Sequence, residues 1–249
     1  MKLDEGDFFI DPVVLQKHEL DLSNRVVNLK KYFLSDGRSI DAEQVAKHLF
    51  PQMQCDVFIS HSFNDRDKAV QLAHDLGQYG ITAFIDSVFW GSSYDLLRAI
   101  DNKYSIPEGK TQYDYQRVTR SAGHVNIILA TALQKMIMNS SMLIFLSTEN
   151  SISTKHSIQD EKKTHSAWIH MELMFSHMLW GMERGRNMLD GMESLTEAPS
   201  IFHKAETEHL KTLGYRSFST WLGTLENPGN RWEFINAAEK LYQTSSRAR

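Results

Sequence analysis

Two short runs, Asp56-Val57-Phe58-Ile59-Ser60 and Ile81-Thr82-Ala83-Phe84-Ile85-Asp86, together with the segment between them, decide the fold. Each run is rich in β-branched and aromatic residues and has the length of a buried strand. Between them, Asp67 to Tyr79 carries Val70, Leu72, Ala73 and Leu76 at helical spacing, and Gly80 supplies a stop. Strand, helix and strand between residues 56 and 86 make a βαβ unit. Such a unit predicts a parallel sheet with a right-handed crossover, hence an α/β fold.

Beyond this unit, Leu96 to Asp101 reads as helix. Residues 102–124 are polar, contain Pro107-Glu108-Gly109, and read as an inserted loop. Ile127 to Met138 is a helix, and Met142-Leu143-Ile144-Phe145-Leu146-Ser147 is a third strand. A hydroxyl-rich loop over 149–166 leads into an amphipathic helix from Ser166 to about Met182. Ser200-Ile201-Phe202-His203 reads as a weak fourth strand. A helix over Trp232 to Tyr242 precedes a frayed tail, Thr244 to Arg249.

On the N-terminal side, residues 1–54 read as a helical extension. Ser23-Asn24 caps a helix over Arg25 to Leu34, Asp36-Gly37 stops it, and Ile40-Asp41-Ala42-Glu43 opens another that ends near Pro51. The expected organisation is a helical extension over 1–54, a sheet domain over 55–205 and C-terminal helices over 206–249.

Composition narrows the function classes. Hydrophobic residues make up 41% and charged residues 23% of the 249 positions, as a packed core requires. The net charge of -4 gives no basic excess, so neither nucleic acid nor an anionic membrane is an expected partner. No apolar run approaches the roughly 20 residues needed to span a bilayer. No signal-peptide pattern opens the chain, and its one cysteine, Cys55, suits a reducing compartment, so a cytoplasmic location is expected. Cys55 itself reads as a small buried filler.

In a parallel sheet, ligands bind beyond the carboxyl ends of the strands. That places Ser60-His61-Ser62-Phe63, Asp86 to Trp90 and Ser147 to Asn150 around one expected site. The helix that begins near Ser166 adds Trp168 and Glu172, four positions apart and therefore on one face. A carboxylate beside an indole is shielded from water and responds strongly to nearby positive charge. The same pair also suits a core tryptophan next to a solvated glutamate.

Several other signals carry less. His156, His165, His170 and His177 cluster in sequence, but their spacing matches no metal-ligand pattern, and no metal is expected. Trp90-Gly91-Ser92-Ser93 either flanks a ligand or only joins strand to helix. His61 either touches a ligand or is a hydrogen-bonded strand-end histidine. Met171, Met174, Met178 and Met182 read as a soft apolar face. Trp221 and Trp232 read as anchors of the C-terminal helices.

Four segments taken together resemble the TIR (Toll/interleukin-1 receptor) domain family over residues 55–180. Asp56 to Ser62 resembles its first conserved box, Gly80 to Asp86 its second strand, and Met142 to Ser147 its central strand. Trp168-Ile169-His170-Met171-Glu172 resembles the Trp-x-x-x-Glu helix of its enzymatically active members. The resemblance implies a flavodoxin-like TIR domain: a parallel sheet with helices on both faces, here with helical N-terminal and C-terminal extensions. It also implies cleavage of the nicotinamide–ribose bond of NAD, by an NAD glycohydrolase or cyclase. Glu172 would be the catalytic carboxylate. Ser60, His61, Ser62, Phe63, Asp86, Trp90 and Trp168 would bind the substrate. NAD is then substrate rather than cofactor, and no cofactor is implied.

One carboxylate suffices for that chemistry. Nicotinamide leaves as a neutral molecule and needs no general acid, while the ribose develops oxocarbenium charge that a nearby carboxylate stabilises. In two places the chain departs from the family pattern. Ser62-Phe63-Asn64-Asp65 stands before Arg66 where basic residues often occur, and the polar stretch 102–124 is long; Arg98, Arg117 and Arg120 are available to supply charge.

The similarity extends to standalone TIR components of bacterial antiphage systems such as Thoeris. It implies a homo-oligomer that signals to a separate effector through a nucleotide messenger. The alternatives are a non-catalytic TIR adaptor that binds other TIR domains, and a toxin that depletes NAD. The two extensions lie outside the matched region, and control of assembly or of access to the pocket is their expected role.

Overall fold

The computed structural model describes residues 1–4, 8–18, 43, 45–46, 55–152, 162–183, 203–225 and 230–244. The chain divides into two compact units. One comprises Met1–Ile10, Cys55–Ile85 and Ser140–Arg249; the other comprises Asp11–Gln54 and Asp86–Asn139.

The first unit is built on a five-stranded parallel sheet, so the fold is α/β and flavodoxin-like. Its strands are β1 (Lys2–Asp4), β2 (Val57–Ser60), β3 (Ala83–Ile85), β4 (Met142–Ser147) and β7 (Thr212–Gly214). They lie side by side in the order β3-β2-β4-β1-β7. Val57 pairs with Ala83 on one side and with Met142 on the other. All four residues of β2 and five of the six in β4 are buried. Continuous burial is what a parallel sheet covered on both faces requires, and it explains why both strands read as unbroken apolar runs.

The βαβ unit forms as its sequence predicts. Helix α1 (Arg66–Gln78) buries Ala69, Val70, Leu72 and Leu76. Its end is set by Gly80, at φ 69°, which allows the amides of Gly80 and Ile81 to reach back to Gly77 O and Leu76 O. The Asp56 carboxylate accepts both the amide and the hydroxyl of Thr82, at 2.9 and 2.7 Å, and so ties the entries of β2 and β3 together.

The first correction concerns the start of the chain. Residues 1–54 were expected to be helical, yet Lys2–Asp4 is a strand inside the sheet, paired in parallel with β4 and β7. Met1 and Leu3 are buried, while Lys2 and Asp4 are only half-buried and form an ion pair at 2.8 Å. This is the period of two that a strand imposes. Residues 12–18 are helical. The helix expected over 25–34 lies outside the described residues. Of the next helix, expected from Ile40 to near Pro51, only 43, 45 and 46 are described, and they are helical.

The second correction concerns the fourth strand expected at Ser200–His203. Residues 200–202 lie outside the described residues. His203–Lys204 forms β6, which pairs antiparallel with β5 (Lys163–Thr164) in a separate two-stranded ribbon. The remaining sheet positions are taken by β1 and β7. Helices α4 (Ala167–Glu183), α5 (Tyr215–Leu222) and α6 (Arg231–Thr244) complete this unit. Trp221 anchors the last two, with Phe218 at 5.6 Å and Phe234 at 6.0 Å between ring centres. Trp232 does not act as an anchor, being 74% exposed. The expected tail falls mostly on 245–249, outside the described residues.

In the second unit, α2 (Ser87–Tyr104) packs against α3 (Tyr115–Asn139). The inserted loop expected over 102–124 is therefore only 105–114. Asp114 accepts the Arg117 amide at 3.0 Å as an N-cap, and the Arg117 guanidinium donates to Tyr104 O at 3.2 Å at the end of α2. The first turns of α3 are mostly solvent-facing, which is why Gln116 to Ser121 look like a loop in sequence. The domain expected over 55–205 is thus divided, with Asp86–Asn139 grouping with Asp11–Gln54. Among the described residues, no helix is long and apolar enough to cross a membrane.

Candidate functional site

Because every strand of the large sheet runs in parallel, the carboxyl ends of β2 and β4 lie at the same edge. Ser60 is the last residue of β2. Helix α4 brings a second element to it. Ser166 caps that helix: its hydroxyl oxygen accepts the Ile169 amide at 3.2 Å and its carbonyl accepts the His170 amide at 3.0 Å. The start of α4 is fixed by this cap, and Ile169, Glu172 and Leu173 face inward and are buried.

Ser60 and Glu172 meet there. The Ser60 hydroxyl donates to Glu172 Oε2 at 2.6 Å, and both residues are 0% exposed. That distance is normal for a hydroxyl donating to a carboxyl oxygen. Burying a carboxylate is costly unless donors are supplied, so the pair holds a chemically valuable group at a defined point. Trp168 lies one turn earlier on the same helix and is half-buried.

The other residues expected at the site divide into groups. Ser60, expected to contact substrate, donates a hydrogen bond to Glu172 and is fully buried. His61 is 3% exposed, with Nδ1 3.2 Å from Ile59 O, in line with the reading of a hydrogen-bonded strand-end histidine. Ser62 is half-buried, and Phe63, in the 3-10 turn Phe63–Asp65 that follows β2, is 70% exposed. Asp86 follows β3 directly, is buried, and opens the Asp86–Asn139 segment of the second unit. Trp90 lies on α2 in that second unit, and its side chain lies outside the described residues. The structure thus joins Ser60 to Glu172 and leaves Ser62 and Phe63 as the accessible residues immediately after β2.

A feature missed in the sequence sits at the same edge. Asp65, 1% exposed, accepts the Thr148 hydroxyl at 2.5 Å through Oδ2. Through Oδ1 it accepts the Asn150 side-chain amide at 3.1 Å and the Lys68 ammonium at 3.3 Å. The turn after β4 is itself locked, because Ser151 Oγ accepts the Thr148 amide at 2.9 Å and donates to Leu146 O at 2.8 Å. In sequence Asp65 shows only as an acid just before Arg66, with nothing to mark it as buried. Its partner Thr148 lies 83 positions away, and no local pattern links them.

The histidines of α4 pair with the 203–209 segment. His170 stacks on His203 at 4.7 Å and reaches Lys204 O at 2.8 Å. His177 stacks on His209 at 5.0 Å, and His209 Nε2 lies 3.0 Å from Ser176 Oγ. Burial lowers the His209 imidazole to about 3, with further push from His177 and the chain's amino terminus. His203 is also lowered, by burial and then by His170. His156 lies outside the described residues. Among the described residues, no three or more His, Cys, Asp or Glu are gathered as a metal-binding group. The soft methionine face is partly open: Met174 is 38% exposed and Met171 and Met178 are half-buried.

No family model matches the chain, and neither a curated protein nor a solved structure is significantly similar to it.

Proposed function

We propose that this chain cleaves the nicotinamide–ribose bond of NAD, with Glu172 as the carboxylate that stabilises the sugar cation. The observation that carries the reading is the Ser60–Glu172 hydrogen bond at the carboxyl end of β2. The Glu172 carboxylate is held there by a strand-end donor, at the edge where α/β sheets bind ligands. Nicotinamide departs neutral, so one carboxylate meets the chemical need. The four sequence segments that resemble active TIR domains support the same reading. On this reading the chain works in the cytoplasm as a homo-oligomer and makes an ADP-ribose-derived signal for a separate effector in antiphage defence.

Glu172 is completely buried, so a ribose reaches it only after local opening above the Ser60–Glu172 pair. On this reading Phe63, exposed in the short turn that follows β2, meets a flat ring of the substrate. The deciding experiment mixes purified full-length protein with NAD and measures free nicotinamide by chromatography, for the wild type and for Glu172→Gln. Release by the wild type and none by the variant supports the reading.

Complete burial also favours a second reading. In a non-catalytic TIR adaptor the Ser60–Glu172 pair would serve only to seat α4 against the sheet. In that case neither protein releases nicotinamide, and Glu172→Gln changes stability alone. Where cleavage is seen, mass spectrometry separates an NAD-depleting toxin, which yields linear ADP-ribose alone, from a messenger synthase.

A further inference from the structure

We infer that Asp65 is a positioning residue that fastens the loop leaving β2 to the loop leaving β4, and so sets the rim over which a dinucleotide enters; this rests on the NAD-cleavage reading. The two loops leave neighbouring parallel strands at the same edge, and without a fastening each would move independently. Asp65 closes the 3-10 turn that carries Phe63, its own amide donating to Ser62 O at 2.8 Å. Its carboxylate is buried and takes donors from both sides of the gap: Lys68 from α1, and Thr148 and Asn150 from the turn after β4. Thr148 also braces its own turn, because its hydroxyl oxygen accepts the Asn150 backbone amide at 3.1 Å. A buried, charge-assisted set of this kind has one satisfied arrangement and holds the two loops in a fixed register with each other.

The clamp is separate from the carboxylate that would do the chemistry. Ser60 and Glu172 are held by a strand and a helix, whereas Asp65 and Thr148 hold the loops. Loosening the loops weakens ground-state and transition-state binding alike, and that raises KM without lowering kcat.

The test compares Thr148→Val, which keeps the shape and removes the hydroxyl, with Thr148→Ser, which keeps the hydroxyl. Hydrogen–deuterium exchange is followed by mass spectrometry in the full-length protein. For Thr148→Val, the amides of residues 62–65, far away in sequence, should exchange on the order of tenfold faster, while Thr148→Ser stays near the wild type. With NAD, Thr148→Val should raise KM by about tenfold and leave kcat within about twofold. Equal exchange at 62–65 in the two variants overturns the clamp. An unchanged KM, or a loss confined to kcat, overturns its role in placing the ligand. If the wild type releases no nicotinamide, the NAD reading and the rim's role in it fall together, and the exchange comparison still decides whether the clamp exists.

Discussion

Ser60 Oγ and Glu172 Oε2, from residues 112 positions apart, lie 2.6 Å from each other with no solvent at either residue. The relationship makes the two members of the pair unequal. Glutamine at 172 keeps an oxygen to accept the Ser60 proton, so Glu172→Gln should fold normally. Under the proposed chemistry it should lose nicotinamide release by on the order of hundreds-fold, since the charge that answers the sugar cation is gone. Circular dichroism melts together with a nicotinamide assay check both halves. Near-normal turnover would remove Glu172 from the mechanism.

Ser60→Ala is expected to behave differently. It leaves a buried carboxylate oxygen without that donor, at a stability cost of about 1–3 kcal/mol. Urea denaturation should show a lower midpoint with an unchanged slope. Activity should fall less than in Glu172→Gln, because the charge remains. A Ser60→Ala protein as stable as the wild type would show that the hydrogen bond contributes little.

The N-terminal strand supports a third expectation. Leu3 is 1% exposed and sits between Leu146 and Leu213, on a strand paired on both sides. Leu3→Ala should destabilise by about 2–5 kcal/mol, as for other buried leucines. Deleting residues 1–10 should be worse, exposing the bonding edges of β4 and β7, and cooperative unfolding should be lost. A deletion protein with a sharp melt near the wild-type temperature would show that β1 is dispensable. Lys2–Asp4 is thus part of the sheet itself, whatever the rest of the extension does.

These three cases also show what the sequence could and could not reveal. β2, α1, β3 and β4 were legible because their apolar periodicity is local and bounded by turn residues such as Gly80. Helix α4 was legible from its Ser166 start, and with it the position of Glu172. β1 was not, since three residues beginning Lys2-Leu3-Asp4 carry too little pattern, and their burial comes from β4 and β7, far along the chain. The polar first turns of α3 hid a helix because solvent exposure, not irregularity, made them hydrophilic. At the edge of the sheet, the helical position of Glu172 is local and legible, whereas its hydrogen bond with Ser60 depends on the tertiary meeting of β2 with α4 and has no local signal.

Asp56 and Thr82 offer a test of the βαβ unit alone. The Asp56 carboxylate accepts two hydrogen bonds from Thr82. Thr82→Val removes the hydroxyl but keeps the amide donor, so it should cost less than Asp56→Ala. A double-mutant cycle should give a coupling of about 0.5–3 kcal/mol. Additive single effects would mean that the two bonds are replaced by water at little cost.

The last expectation concerns acid. His209 is buried against His177, Trp180 and Ser176, with Glu206 near His177, and its imidazole is lowered to about 3 from the ordinary 6.5. The folded protein therefore keeps His209 neutral at pH values where the unfolded chain protonates it. Between about 6.5 and 3 the unfolded state binds the extra proton, so stability falls as pH falls through that window and is fully present above it. Linkage limits the loss to about 1.4 kcal/mol per pH unit, or on the order of 2 kcal/mol from pH 7 to pH 5. The chain's amino group, buried and lowered to about 5, acts in the same direction but over a higher window, between its ordinary 8 and 5. Comparison with His209→Gln separates the two, because the amino group is common to both proteins. Urea denaturation at pH 7 and pH 5 should show the wild type losing more stability than His209→Gln by roughly that amount. Equal losses in the two proteins would mean that His209 takes up its proton in the folded state as readily as in the unfolded one, and that the stack on His177 opens to admit it.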